Sequence, residues 1–152
     1  MNIDTLRNKV ISHTGPSPYG VSCKFIRLDD DWGIKVYNSS TERDRAVSRQ
    51  AKLYEHGYAP KVGIVFDVPS TFRSYYCYVT QCAVPLIEGD AKYARDYYTI
   101  ATKYRKENPA VSDEITELCK NMEAVEGRPY SDIHYANFGR LDGKLVCLDF
   151  GN

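Results

Sequence analysis

Tyr130-Ser131-Asp132-Ile133-His134-Tyr135-Ala136-Asn137, followed after eleven residues by Asp149-Phe150-Gly151, sets two carboxylates and one amide close to the end of the chain. Asp132 and Asn137 stand five apart, so a tight loop can aim the carboxylate at an attacking hydroxyl while the amide oxygen faces a cation. Asp149 offers a second oxygen ligand. The stretch between them, Phe138 to Leu148, reads as two short strands joined at Asp142-Gly143, a dipeptide suited to the positive φ values of a two-residue hairpin. Such a hairpin returns Asp149 to the side of Asn137. Taken singly, Asp132 also reads as a helix-exit cap and Asp149 as a turn residue. The spacing of all three favours chemistry.

With these residues in view, the chain resembles the protein-kinase-like superfamily. Asp132-Ile133-His134-Tyr135-Ala136-Asn137 is similar to its catalytic loop, D-x-x-x-x-N, and Asp149-Phe150-Gly151 matches D-F-G letter for letter. Tyr130-Ser131 stands where the family has His-Arg. His134 stands where protein kinases carry Lys, a substitution that resembles the aminoglycoside-phosphotransferase and other atypical branches. The resemblance implies an α+β, kinase-like fold: a five-stranded antiparallel small-lobe sheet with one helix over residues 1–83, and a reduced helical large lobe over 84–152. The chain stops one residue after D-F-G, before any activation segment or A-P-E. In this it resembles miniature kinases of phages and bacterial effectors.

Composition sets wider bounds. The chain has 152 residues, 43% of them hydrophobic, and no apolar run approaching ~20 residues, which predicts one soluble domain without a membrane span. Its start, Met1-Asn2-Ile3-Asp4-Thr5-Leu6-Arg7, has neither the basic lead nor the apolar core of a secretory signal, and a cytoplasmic location is expected, a host cell's if the origin is a phage or effector. Five cysteines without a C-x-x-C pair argue against a disulfide framework and against zinc. Twenty basic and twenty acidic residues cancel, leaving no overall field to recruit nucleic acid or anionic membrane.

Along the N-terminal half, strands are predicted over Val21–Leu28, Trp32–Tyr37, Val62–Val68 and Tyr75–Gln81, with a turn at Asp29-Asp30-Asp31. The loop before them, Gly15-Pro16-Ser17-Pro18-Tyr19-Gly20, is a degenerate match to G-x-G-x-x-G. Gly15 and Gly20 allow backbone amides to approach phosphate, Ser17 replaces the middle glycine, and an ordinary Pro/Gly turn is the plainer alternative. Trp32-Gly33-Ile34-Lys35-Val36-Tyr37 resembles the V-A-I-K strand, which assigns Lys35 to the α- and β-phosphates. A solvated edge lysine is the alternative.

Ser39 to Thr41 offer N-caps for a helix running to His56, closed by Gly57 and Pro60. Glu42, Ala46, Gln50 and Leu53 share one face of it, which makes Glu42 the expected partner of Lys35 in preference to Glu55. The stretch Gln81-Cys82-Ala83 resembles the family's hinge, where backbone groups from Gln81 to Ala83 would meet adenine. Helices are predicted over Asp90–Lys106 and Ser112–Val125, the second with a core-facing stripe of Ile115, Leu118, Cys119, Met122 and Val125.

The resemblance then implies roles. Asp132 deprotonates the acceptor hydroxyl, Lys35 neutralises phosphate charge, and Asn137 with Asp149 holds Mg²⁺ on ATP. His134 either contacts the transferring phosphate or acceptor, or braces the loop. The expected function is a minimal Mg-ATP kinase acting on Ser/Thr of a protein, with an activating partner supplying the absent docking platform. The alternative is a pseudokinase that occupies a nucleotide or target without turnover. A small-molecule phosphotransferase, suggested by His134, is a third reading.

Overall fold

Asn2 begins the first helix by accepting the Asp4 and Thr5 backbone N–H groups at its Oδ1, at 2.7 and 3.4 Å, which satisfies donors that a helix start leaves open. The computed structural model describes residues 1–14, 24–88 and 95–150. They form four helices and two antiparallel sheets, an α+β architecture, in the order α1 (Ile3–Thr14), β1 (Lys24–Arg27), β2 (Trp32–Tyr37), α2 (Ser40–Glu55), β3 (Val62–Val68), β4 (Tyr75–Gln81), β5 (Val84–Pro85), α3 (Tyr97–Glu107), α4 (Val111–Glu126), β6 (Phe138–Leu141) and β7 (Lys144–Cys147). The chain divides into two compact units, one of residues 1–51 and 61–82, the other of 52–60 and 83–150.

The first unit is built on a sheet ordered β1-β2-β4-β3. Alternation along the strands sends Ile26, Ile34, Val36, Phe66, Val68, Cys77 and Val79 to one face, where Leu6 and Val10 of α1 complete the core. Asp29 shapes the β1–β2 turn, its Oδ1 accepting the Asp31 and Trp32 N–H groups at 2.8 Å each. The opposite face carries α2, whose buried residues in this unit are Arg43, Ala46 and Gln50. Arg43 pins this helix to the sheet: its Nη1 donates to the carbonyls of Phe66 and Cys77 at 3.1 and 3.2 Å and to Asp67 Oδ1 at 2.9 Å.

Two expectations for this half need correcting. Four strands, not five, are present among the described residues, and two helices, not one, flank the sheet. The apolar segments of this half supply four strands, and the N-terminal segment is helical, because Leu6 and Val10 four residues apart make one helical face. Residues 21–23 of the first expected strand lie outside the described residues, as do Gly15, Ser17 and Gly20 of the glycine loop.

In the second unit β5, β6 and β7 form a three-stranded sheet, and β6–β7 is the expected hairpin. Asp142 and Gly143 at its tip take φ values of 51° and 81°, the paired positive angles that Asp-Gly tolerates. Gly139 lets β5 close on β6, since a Cβ there would lie 2.8 Å from the Val84 carbonyl oxygen. The helix α4 buries Val111, Ile115, Leu118 and Met122, while Cys119 and Val125 of the expected stripe are half-buried. It stops at Gly127, a left-handed C-cap whose N–H reaches the Glu123 carbonyl. Arg140 on β6 grips Glu114 on α4 through two bonds of 2.6 and 2.8 Å. Among the described residues no helix is long and apolar enough to cross a membrane.

Candidate active site

The chain leaves α4 at Gly127, passes Pro129 and runs through residues 130–134 without regular structure before a short 3-10 turn, Tyr135–Asn137, delivers it into β6. Three bonds shape that loop. The His134 N–H donates to the Asp132 carbonyl at 3.1 Å, the Asn137 N–H to the His134 carbonyl at 2.9 Å, and Asn137 Nδ2 to the Asp132 carbonyl at 2.8 Å. The last bond spans the Asp132-to-Asn137 spacing and orients the amide: the nitrogen is committed to the backbone, so Oδ1 is the atom that a cation would take. Asn137 itself is only 4% exposed. A polar side chain so deeply placed is held by its hydrogen bonds.

Asp132 is oriented in turn by His134, whose Nε2 lies 3.2 Å from Asp132 Oδ1. The Tyr97 ring meets the imidazole edge-on at 5.2 Å, and the Tyr97 hydroxyl accepts the Tyr135 N–H at 3.4 Å. The His134 Nδ1 is buried and has no hydrogen-bond partner among the described residues.

The hairpin carries the chain back to the loop. Phe138 pairs with Cys147, the Leu148 N–H donates to the Asn137 carbonyl at 2.8 Å, and half-buried Asp149 follows directly. Asp149 is tethered through its own carbonyl, which accepts the Tyr130 hydroxyl at 3.0 Å and the Cys147 thiol at 3.4 Å. Burial pushes the Tyr130 phenol far above its usual range, with nearby Cys147 and Asp149 adding to the shift. It serves as a neutral donor. Phe150 is fully buried in the same unit.

Asn137 and Asp149 carry the donor types that a magnesium ion takes. An amide oxygen and a carboxylate are hard ligands, and Mg²⁺ typically takes one or two protein oxygens with phosphate and water filling the rest. Among the described residues no cluster of three or more His, Cys, Asp or Glu gathers, as an all-protein cage would require.

In the first unit Lys35 is half-buried on β2, directly across from Phe25 on β1 and Tyr78 on β4, so all three lie on the face that carries α2. Its Nζ sits 5.8 Å from the centre of the Tyr78 ring, within cation–π range. Glu42, the expected partner, is exposed in the first turn of α2, where its N–H donates to Ser39 Oγ at 3.3 Å, and it makes no ion pair among the described residues.

The buried stripe of α2 keeps Ala46, Gln50 and Leu53 and begins at Arg43 instead of Glu42. Arg43 can lie inward because three acceptors receive its guanidinium. The α2 side chain that meets the neighbour of Lys35 is Gln50, fully buried: Tyr78 Oη donates to its Oε1 at 2.8 Å, and its Nε2 donates to Thr80 Oγ1 at 2.7 Å.

At the expected hinge, the Gln81 N–H donates to the Lys61 carbonyl at 2.9 Å and the Cys82 N–H to the Asp31 carbonyl at 2.7 Å. Ala83 lies one residue before β5. The sequence gives Tyr78 no role, and it shows Gln50 only as a member of the α2 face and Tyr130 only as a departure from His-Arg. No known family model, curated protein or solved structure matches the chain.

Proposed function

We propose that this chain is a minimal Mg-ATP-dependent phosphotransferase of kinase-like type, acting on the hydroxyl of a serine or threonine in a protein. One observation carries the reading: a D-x-x-x-x-N loop closed on itself by the Asn137–Asp132 bond, with the hairpin returning Asp149 to the Asn137 backbone. In this reading Asp132 takes the acceptor's proton on the carboxylate that His134 steadies. Lys35 offsets phosphate charge. Asn137 and Asp149 hold the cation, which when bound supplies charge neutralisation at the phosphate oxygens. Cytoplasm, where ATP is abundant, is the matching location.

The second reading is a module that binds nucleotide or a partner protein without turnover, and Tyr130-Ser131 standing in place of His-Arg supports it.

Calorimetry with ATP, with and without Mg²⁺, followed by radiolabel transfer from ATP to a degenerate Ser/Thr peptide mixture, tests both. Mg²⁺-dependent binding with transfer that disappears in Asp132→Ala supports the enzyme. Binding without transfer supports the module. Absence of any Mg²⁺-dependent binding overturns both nucleotide readings.

A further inference from the structure

We infer that Tyr130 is the positioning residue that fixes the Asp149 carboxylate relative to Asn137, an inference that rests on the metal role proposed for those two. Its side chain touches the segments that follow Asn137 and that carry Asp149. The hydroxyl donates to the Asp149 carbonyl at 3.0 Å across a separation of nineteen residues. The ring meets Phe138, the residue after Asn137, edge to face at 5.8 Å and 67°. Its backbone lies two residues ahead of Asp132. Tyr130 is 6% exposed, so solvent offers its hydroxyl little alternative partnership.

A carbonyl that receives both the Tyr130 hydroxyl and the Cys147 thiol holds the Asp149 peptide in one orientation, and so sets the backbone from which the carboxylate departs. Magnesium tolerates little error in ligand placement, with oxygens required near 2.0–2.1 Å in octahedral directions. Small rotations of this peptide therefore act on metal affinity before they act on anything else.

The test is Tyr130→Phe, which keeps the ring against Phe138 and removes only the donor. Nucleotide affinity is measured by calorimetry in EDTA and across a Mg²⁺ titration, for wild type and variant, with thermal denaturation alongside. The expected result is unchanged affinity in EDTA and a rise of about tenfold in the Mg²⁺ concentration for half-maximal enhancement. A merely structural tyrosine would lower the melting temperature and leave that midpoint in place, which overturns the inference. Should Tyr130→Phe fail to fold, Cys147→Ala removes the second donor to the same carbonyl. A raised Mg²⁺ midpoint there supports the clamp, and an unchanged one overturns it. Wild type that shows no Mg²⁺-dependent binding overturns the phosphotransferase reading itself. Wild-type binding matched by both variants overturns the role of Tyr130 alone.

Discussion

Asn137 donates through its side-chain nitrogen to the main-chain carbonyl of Asp132 at 2.8 Å, so one buried amide closes the loop. Replacing it with leucine keeps the volume and leaves the carbonyl without that donor. Asn137→Leu is expected to lose about 1–3 kcal/mol of stability, read by urea denaturation, together with Mg²⁺-dependent nucleotide binding.

The two aspartates should separate by assay. Asp149→Ala is expected to remove the Mg²⁺ dependence of ATP binding, while Asp132→Ala leaves binding intact and lowers transfer on the order of 10²–10³-fold. Calorimetry and radiolabel transfer on both variants check the division.

Arg43 and Glu42 are neighbours with opposite expected weights. Arg43→Met takes one donor from each of the Phe66 and Cys77 carbonyls and should cost about 1–3 kcal/mol. Glu42→Ala, on the outer side of the helix, should change stability by less than about 0.5 kcal/mol. Thermal melts of the two variants decide whether the buried stripe of α2 runs where described.

Glu114 gives a pH signature. The hydrogen bond from Arg140 holds its carboxyl below the usual glutamate range, so the stability it contributes is present above that range and is lost as pH falls through the lowered value. Both side chains are partly exposed, so solvent screening limits the effect to below about 1 kcal/mol. Melting temperature plotted from pH 6 to pH 3, as an experimental range of about three units, should fall less steeply for Glu114→Gln than for wild type.

Gln50→Glu sets an acid where burial raises the carboxyl pKa. A raised folded-state value means stability is kept below the unfolded value, about 4.3, and is lost as pH climbs. The variant should melt near wild type at low pH and show a growing deficit toward neutrality. A deficit that does not grow with pH would argue that water reaches this network.

The parts legible in the sequence are those whose residue types state a local demand. Asp142-Gly143 spells out two positive φ angles, and the stripe of α4 repeats at helical spacing over four turns. Asp132 and Asn137 lie near enough in sequence for one loop to join them. Other parts depend on partners far away along the chain. Arg43 looks like a solvated residue until three acceptors on β3 and β4 receive it. The helix α1 hid because only Leu6 and Val10 face inward while Ile3 and Ile11 lie exposed, which blurs the apolar period. Tyr130 drew notice as a departure from His-Arg, and its bond to Asp149 spans too many residues for spacing to suggest it.

With Leu6 and Val10 seated on the sheet, α1 is an internal wall of its unit. Trimming the first fourteen residues would bare Ile34, Val36, Phe66 and Val79 together, a greasy surface prone to self-association. Affinity tags and fluorescent fusions joined at Met1 therefore belong on a linker that spares Asn2, whose carboxamide starts that wall.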